Sequence, residues 1–339
     1  MNLNFLRITE KNIWEQEVVF FREANFLQSW NWGVFQESMD KLVTRLLVQE
    51  NGKTVSMVQL VLEVAKRGTY LSIAGGPLMD WNNEELVKQV FNEIKKIAKE
   101  QSAVFIRFRP QAIDSAELRK IVQKNEAVTA QMHLTADLTL QLDLSGLEDE
   151  ILAQMRKNTR YSIRKADKEG IEVSFSKDEN EIRRFCDHQN ELAKRHGFVP
   201  FSYKFLFNQF SSFIDDDQVI LINSFKDGKL LASAFVIFYN GEAVYHYGIS
   251  TQDNGRLPGS YACQWAAIKE AKKRGCKKYN FWGVAPEDDK KHRFAGVSTF
   301  KRGFGGQEVH YLPSHDIPLS AKYRLTSSFE FLRKKARKL

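Results

Sequence analysis

The chain has 339 residues, 43% of them hydrophobic and 27% charged, the composition of a soluble globular protein with two domains or one large one, because cores seldom grow beyond about 250–300 residues. A net charge of +8 biases it towards polyanions such as RNA, phosphorylated substrates or an anionic membrane face. Cys186, Cys263 and Cys276 are scattered and odd in number, which argues against a disulfide framework and for a reducing cytoplasm, and the seven histidines form no HxxxH or HExxH, so no metal site is expected. Residues 1–16 lack an apolar signal core, and the longest apolar run, the ten residues Leu230 to Tyr239, suits a central strand better than a membrane span.

In chain order, Asn25 to Glu37 (NFLQSWNWGVFQE) is expected to start a helix or turn. Its Trp30, Trp32 and Phe35 anchor a core on the plainest reading, while Trp32 and Gln36 are placed to line a pocket. Leu42 to Val48 and Thr54 to Val64 read as strands joined by an Asn51-Gly52 hairpin turn, and an Arg67-Gly68 turn leads into a strand over Tyr70 to Ala74. A helix is predicted from about Asn83 to Lys99, begun by a capping-box-like Asn82 and Glu85, with Leu86, Val87, Val90, Phe91, Ile94, Ile97 and Ala98 on one face. Val104 to Phe108 follows as a strand stopped by Pro110.

The same order recurs about 176 residues later, counted from Asn51-Gly52 to the Asp227-Gly228 turn. Val219 to Phe225, Leu230 to Tyr239 and Ala243 to Ile249 are strands, Tyr261 to Arg274 a helix, and Lys278 to Trp282 the closing strand. Two copies of a mixed α/β (α+β) unit account for the length. The expected domains are 1–145, completed by about 308–339, and 146–307.

Between the copies a single helix is expected, begun by a Ser145-x-x-Glu148 capping box and burying Leu152, Met155 and Ile163. Its other side carries Arg156, Arg160 and Arg164 at i, i+4, i+8, with Lys157 and Lys165 beside them. Such a row is either a solvated face with acidic partners elsewhere or a ridge that tracks phosphates. A further amphipathic helix spans about Glu179 to His196, and the region from Pro318 reads as a helix with Leu319, Tyr323, Phe329 and Leu332 inward. That helix ends in Arg333, Lys334, Lys335, Arg337 and Lys338, a frayed solvated end or an electrostatic contact for a membrane or RNA.

Before it lies STFKRGFGGQEVHYL, Ser298 to Leu312. Phe300 precedes the cations Lys301 and Arg302, and Gly303, Gly305 and Gly306 follow. Read plainly this is a Gly-rich hairpin with a solvated Lys-Arg pair. Read functionally, the glycines let backbone amides approach a ligand and the cations meet an anion or a developing oxyanion.

The duplicated order resembles acyl-CoA N-acyltransferase-like (GNAT-like) domains. SWNWGVFQE (Ser29–Glu37), MRKNTRYSIRKADKEGIEV (Met155–Val173), KRHGF (Lys194–Phe198), YGIS (Tyr247–Ser250), LPGSYACQWAAIKEAKKRG (Leu257–Gly275), YNFWGV (Tyr279–Val284) and STFKRGFGG (Ser298–Gly306), taken as an ordered set over nearly the whole chain, resemble the Fem (FemABX) family of non-ribosomal peptidyltransferases, in the short form without a helical-hairpin arm. The resemblance implies tandem GNAT-like domains with the C-terminal helix returning to the first. It implies an aminoacyltransferase that moves an amino acid from aminoacyl-tRNA to an amine of the peptidoglycan stem peptide, with neither metal nor coenzyme A. The implied acceptor is the UDP-linked muramyl-peptide or its lipid-linked counterpart, and the location is the cytoplasm or the inner face of the membrane.

Carried over residue by residue, Lys301 falls near the reacting ester or the tRNA end, with Phe300 as the other catalytic position, and Tyr247 falls near the acceptor. Trp32, Gln36, Arg256, Tyr261 and Arg302 complete the expected substrate-binding set, and Arg156, Lys157, Arg160 and Arg164 the phosphate-binding set. Gln36 stands where relatives often carry a lysine, Arg109 where an acidic residue is common, and the segment after KRHGF lacks a phosphate-binding arginine, so the head group of the acceptor stays open. No Ser-His-Asp or Cys-His arrangement argues for an acyl-enzyme.

Two rival readings remain. An acyl-CoA-dependent N-acyltransferase would hold pyrophosphate on a [RQ]xxGx[GA] loop, which Gln252-x-x-Gly255-Arg256-Leu257 begins but breaks at Leu257 and Pro258. A non-catalytic RNA-binding module would use the basic helix alone.

Overall fold

The computed structural model of the chain describes residues 1–65 and 68–337, with the side chains of 336 and 337 left aside. The expected Arg67-Gly68 turn and the terminal Lys338 therefore lie outside the described residues. The chain forms two compact units, one of residues 1–137 with 310–339 and one of residues 138–309.

The first unit runs β1 (Leu3–Arg7), α1 (Lys11–Val18), α2 (Trp30–Ser38), β2 (Val43–Glu50), β3 (Lys53–Ala65), β4 (Gly68–Gly75), β5 (Leu78–Met79), α3 (Glu84–Glu100), β6 (Phe105–Pro110), α4 (Ala116–Lys124) and β7 (Val128–Thr129). The second runs β8 (Leu138–Asp143), α5 (Glu148–Ala153), α6 (Lys157–Lys168), β9 (Glu172–Ser176), α7 (Asn180–His196), α8 (Tyr203–Ile214), β10 (Val219–Lys226), β11 (Lys229–Tyr239), β12 (Glu242–Ser250), α9 (Gly259–Lys273), β13 (Lys278–Gly283), α10 (Ala295–Arg302) and β14 (Gln307–His310). The chain then returns to the first unit with β15 (His315–Pro318) and α11 (Tyr323–Arg337).

In the first unit the sheet order is β1-β2-β3-β4-β6-β15-β7, with β5 paired to β3. The step from β4 to β6 is parallel, from Leu71–Ile106 to Gly75–Pro110, which requires the crossover that α3 supplies. Helix α3 buries Leu86, Val87, Val90, Phe91, Ile94, Ile97 and Ala98 on one face, and these join Val58, Leu60, Ile73 and Phe108 in the core. Its cap is Asn83, one residue later than expected, whose side chain accepts from the Leu86 N–H at 3.1 Å. Asn82 instead donates its N–H to Asp80 in a tight turn (3.0 Å), and so cannot open the helix.

The second sheet has the order β14-β8-β13-β12-β11-β10-β9. Here β12 and β13 are parallel only from Glu242–Lys278 to Val244–Asn280. Beyond that point β12 carries a bulge, since Tyr245 pairs with Val236 and Tyr247 with Phe235, leaving His246 as the extra residue. The two strands part there, and the ends of the splay carry the candidate site.

Three expectations are corrected. The single basic helix is two helices, because both backbone groups at the break have other partners. The Arg156 N–H donates to Gly303 O at 2.9 Å, and the Arg160 guanidinium donates to the carbonyls of Ala153 and Met155. Ser145 is not its cap: the Ser145 N–H turns back to Asp143 (2.9 Å), and it is the Leu147 N–H that Glu150 accepts, at 2.6 Å. On α11, Phe329 and Leu332 point to solvent, while Tyr323, Thr326 and Glu330 are buried. Glu330 is drawn inward because Arg107, itself buried, binds Glu330 and Asp316 through their carboxylates.

Candidate active site

The second unit gathers the candidate catalytic residues at the splay between β12 and β13. Helix α10 ends at Phe300, Lys301 and Arg302, which leave the helix in three directions. Phe300 packs on Tyr261 and Phe304, with ring centroids 5.0 and 5.2 Å away. Arg302 donates to Ala285 O at 2.6 Å and pairs with Glu308. Lys301 is buried, and its Nζ donates to Gly283 O at 2.7 Å.

The segment 283–285, where the chain leaves β13, is thereby clamped to α10. Gly283 O accepts from Lys301, Ala285 N–H donates to Ser298 Oγ (2.8 Å), and Ala285 O accepts from Arg302. The Lys-Arg pair is not solvated. Burial lowers the pKa of Lys301 to about 7. Its Nζ also lies 5.7 Å from the centroid of the Tyr245 ring, within cation–π range. An ammonium has three donors, so a carbonyl and a ring face leave it capacity for an incoming acceptor.

The bulge splits the aromatic residues between the two faces of β12: Tyr245, paired with Val236, lies on the Lys301 face, and Tyr247, paired with Phe235 and packed on Phe201, lies on the other with His246 and Trp282 beside it. His246 stacks against Tyr247 at 4.1 Å and meets Trp282 edge-on at 5.5 Å. Trp282 adopts a left-handed backbone (φ 62°), a conformation unusual for a bulky residue. Burial lowers the pKa of His246 to about 3 and pushes the Tyr245 and Tyr247 phenols up, so these rings are neutral throughout the physiological range. A Cβ at Gly248 would overlap the Tyr245 hydroxyl, which is why that ring can fold back over the strand. Sequence reasoning found Tyr247 but missed Tyr245, His246 and Trp282; three consecutive ring residues before a glycine, YHYG, were the available signal.

The glycines after Lys301 serve packing. Gly303 and Gly305 lie so close to Thr159 and to Gln154 O that an added Cβ would sit 2.6 and 2.9 Å away, and at Gly306 it would overlap Gln141 O. Their amides are used internally as well: Gly303 N–H donates to Thr299 and Phe300, and Gly305 N–H to Arg302. The loop therefore presses on the α5–α6 junction and on β8, and its glycines do not serve the anion cradle that one of the two sequence readings offered.

That packing seats the basic helix directly beside the Lys301 loop, through Arg156 N–H to Gly303 O. Lys157, Arg160, Tyr161, Arg164, Lys165 and Lys168 line one shallow hollow on α6. Arg160 is committed to the carbonyls of the helix break. Tyr161 is 66% exposed among the cations, the arrangement of a stacking ring between phosphate contacts.

The remaining expected residues lie elsewhere. Arg256 is exposed in the turn before α9. In that turn Gly255 N–H donates to Gln252 O (3.1 Å), Leu257 N–H donates to Asn254 O (2.6 Å), and Pro258 has no N–H, so the amides a CoA pyrophosphate needs are occupied or missing. Trp32 and Gln36 belong to the first unit. Trp32 is half-buried against Phe26 and Phe35 (5.5 and 5.2 Å). Gln36 is buried and accepts from Lys41 Nζ at 2.9 Å, an ammonium shared with Glu63. Arg109 is fully buried under Tyr311 and donates to Thr135. No group of three or more His, Cys, Asp or Glu residues able to hold a metal ion occurs among the described residues.

Comparisons with known proteins bear on the family and the fold. The sequence profile described as FemAB family matches residues 9–226 and 220–330. The aminoacyltransferase FemA of Staphylococcus epidermidis is 21% identical over 80% of this chain and 85% of its own length. The UDP-N-acetylmuramoylpentapeptide-lysine N(6)-alanyltransferase of Weissella viridescens is 23% identical over 86% of this chain and 91% of its own. Among solved structures, FemX superposes with a TM-score of 0.86 at 17% identity, covering 96% of this chain and all (100%) of FemX. A tandem GNAT protein from the clavulanic acid biosynthesis pathway superposes at 0.59 with 9% identity, over 94% of this chain and 100% of its own, so the fold is tandem and GNAT-like.

Proposed function

The chain belongs to the FemAB family, and on that footing we propose that the splay of β12 and β13 is where it transfers an aminoacyl group from aminoacyl-tRNA to an amine of a peptidoglycan precursor. It is an aminoacyltransferase of interpeptide bridge synthesis, like the relatives named FemA and N(6)-alanyltransferase. The tRNA donor and the role of Lys301 are our reading. The single observation that carries it is the buried ammonium of Lys301, bound to Gly283 O at 2.7 Å, on a loop that packs against the cationic helix α6.

The donor ester is already activated, so positioning and charge stabilisation are the main tasks. The neutral acceptor amine attacks the ester carbonyl. A C–N bond forms, the C–O bond to the terminal ribose breaks, and the proton of the amine ends on the departing ribose oxygen. Lys301, protonated in the presence of an anionic donor, stabilises the oxyanion or the adjacent phosphate. Tyr245, neutral and half-buried beside Lys301, gives the acyl group an uncharged wall on that face of the sheet. Lys157, Arg164 and Lys168, with Tyr161 between them, receive the RNA backbone and a base. The acceptor is a UDP-linked muramyl-peptide or its lipid-linked counterpart, with Tyr247 at its amine.

The test is a transfer assay with labelled aminoacyl-tRNA and a muramyl-peptide acceptor. The expected product gains one aminoacyl residue, and treating the charged tRNA with ribonuclease beforehand abolishes its formation. Acetylation from acetyl-CoA that ribonuclease leaves undiminished would overturn the reading.

A further inference from the structure

We propose that α11 is an interfacial helix that docks this protein on an anionic lipid bilayer. Leu325, Phe329 and Leu332 are 75%, 51% and 64% exposed. Their i, i+4, i+7 spacing places them in one stripe along the solvent side of the helix, and Phe331, also exposed, lies about 100° further round. Single exposed leucines are ordinary on any surface. Four large apolar side chains within eight residues of one helix are not scattered.

Charge identifies the occupant. Lys322, Arg324, Arg333 and Lys335 flank the stripe on its two sides, and the one acid between residues 322 and 335 is Glu330. Glu330 is buried and engaged by Arg107 through both oxygens, at 3.2 and 2.7 Å. The outward face of α11 therefore presents cations and hydrocarbon and no described anion. The same ion pair fixes its rotation: Arg107 also grips Asp316 at 2.7 and 2.8 Å, and the Tyr323 hydroxyl donates to Asp316 at 3.0 Å. Turning the stripe inward would expel Glu330 from its partner, so the exposure is imposed by a buried charge network.

A second copy of the chain would set these cations against their own kind. RNA would use the cations and leave leucine and phenylalanine in water. An anionic bilayer uses both, the stripe entering the boundary between headgroups and acyl chains while lysine and arginine meet lipid phosphates. No described helix is long and apolar enough to cross a membrane, so this contact is peripheral, with α11 lying in the plane of the surface. The inference goes beyond the transferase reading and does not depend on it, because association is measured without turnover.

The experiment is co-sedimentation of the full chain with vesicles of equal parts phosphatidylcholine and phosphatidylglycerol, and with phosphatidylcholine alone. Association with the mixed vesicles is expected to exceed that with phosphatidylcholine by at least about tenfold and to weaken with salt. The variant Leu325→Ser/Phe329→Ser/Leu332→Ser alters only exposed positions, and is expected to lose roughly tenfold or more of this association while keeping its fold and its affinity for tRNA. Arg324→Gln/Lys335→Gln should weaken association and flatten its salt dependence. Equal binding by the serine variant, or no vesicle binding by the parent chain, overturns the proposal. So does a serine variant whose only defects are a smaller sedimenting species or weaker RNA binding, since the stripe would then be a protein or RNA surface.

Discussion

Lys301 Nζ stands 2.7 Å from the carbonyl oxygen of Gly283, the last residue of β13. A carbonyl at the point where two parallel strands part thus aims a buried cation into the opening between them. Ser298 and Arg302, one on either side in sequence, bind Ala285 and hold the same segment rigid. A positively charged group whose position is fixed in advance is what stabilisation of a developing negative charge requires.

If Lys301 stabilises that charge, Lys301→Met should cost about 10²–10³ in kcat, the range for removal of a single oxyanion donor. Lys301→Arg should rescue poorly, because a planar guanidinium does not fit a buried site built round one carbonyl and one ring. Initial rates of aminoacyl transfer, measured on variants whose circular dichroism is unchanged, check this. Full activity of the methionine variant would remove Lys301 from the mechanism.

The lowered pKa makes two pH predictions. In the free enzyme the ammonium is lost as pH rises through about 7, so kcat/KM should fall above that value, with the falling limb of kcat displaced upward by a bound anionic donor. For stability, the lysine pKa is 10.5 when unperturbed and about 7 when folded, so the unfolded chain binds the extra proton between these values. The destabilisation is complete below pH 7 and disappears as pH rises towards 10.5. Lys301→Met should therefore raise the melting temperature most at acid pH, and the gain should shrink on the alkaline side.

On α6 the cations are not equivalent. Lys157→Gln, Arg164→Gln and Lys168→Gln together should weaken tRNA binding and reduce the magnitude of its salt slope by about 0.7–0.9 for each phosphate no longer neutralised. Tyr161→Ala should cost a further 1–3 kcal/mol or so with little change in slope, as removal of base stacking does. Arg160→Gln should act mainly on stability, since its guanidinium closes the carbonyl end of α5. Binding isotherms over a range of salt, beside thermal melts, separate the three.

Gly306→Ala should destabilise the second unit. The residue has φ 89° and faces the backbone of Gln141, so both conformation and space exclude a side chain. A cost of about 1–3 kcal/mol is expected, seen as a lower urea midpoint with an unchanged m-value. An alanine variant as stable as the parent would show that the loop can move away from β8.

Much of the fold was legible because local periodicity and turn chemistry write it directly. Asn51-Gly52, Asp227-Gly228 and Asn240-Gly241 have the positive φ angles that hairpins demand, and they mark the same strand order twice. Helix α3 shows its buried face as a 3.6-residue pattern. Strand β8 was missed although Leu138, Leu140 and Leu142 alternate through it, because no turn dipeptide frames it. The ordered motifs, spread from Ser29 to Gly306, were enough to point to the family.

The sequence by itself determined the two-fold repeat, the family and the identity of the cation after Phe300. Tertiary structure alone decided what surrounds that cation. Whether Lys301 is solvated or buried depends on Gly283 and Tyr245, 18 and 56 residues away in the chain, and no local pattern encodes such a contact. The same holds for α11. Its apolar residues suggested an inward face, but the buried Arg107–Glu330 pair, joined across 223 residues, turned those side chains to the outside. Periodicity reports what a helix has to offer for burial; which face is buried follows from the partners the rest of the chain brings to it, and here a charge with a fixed counter-charge outweighed hydrocarbon that other surroundings can accommodate.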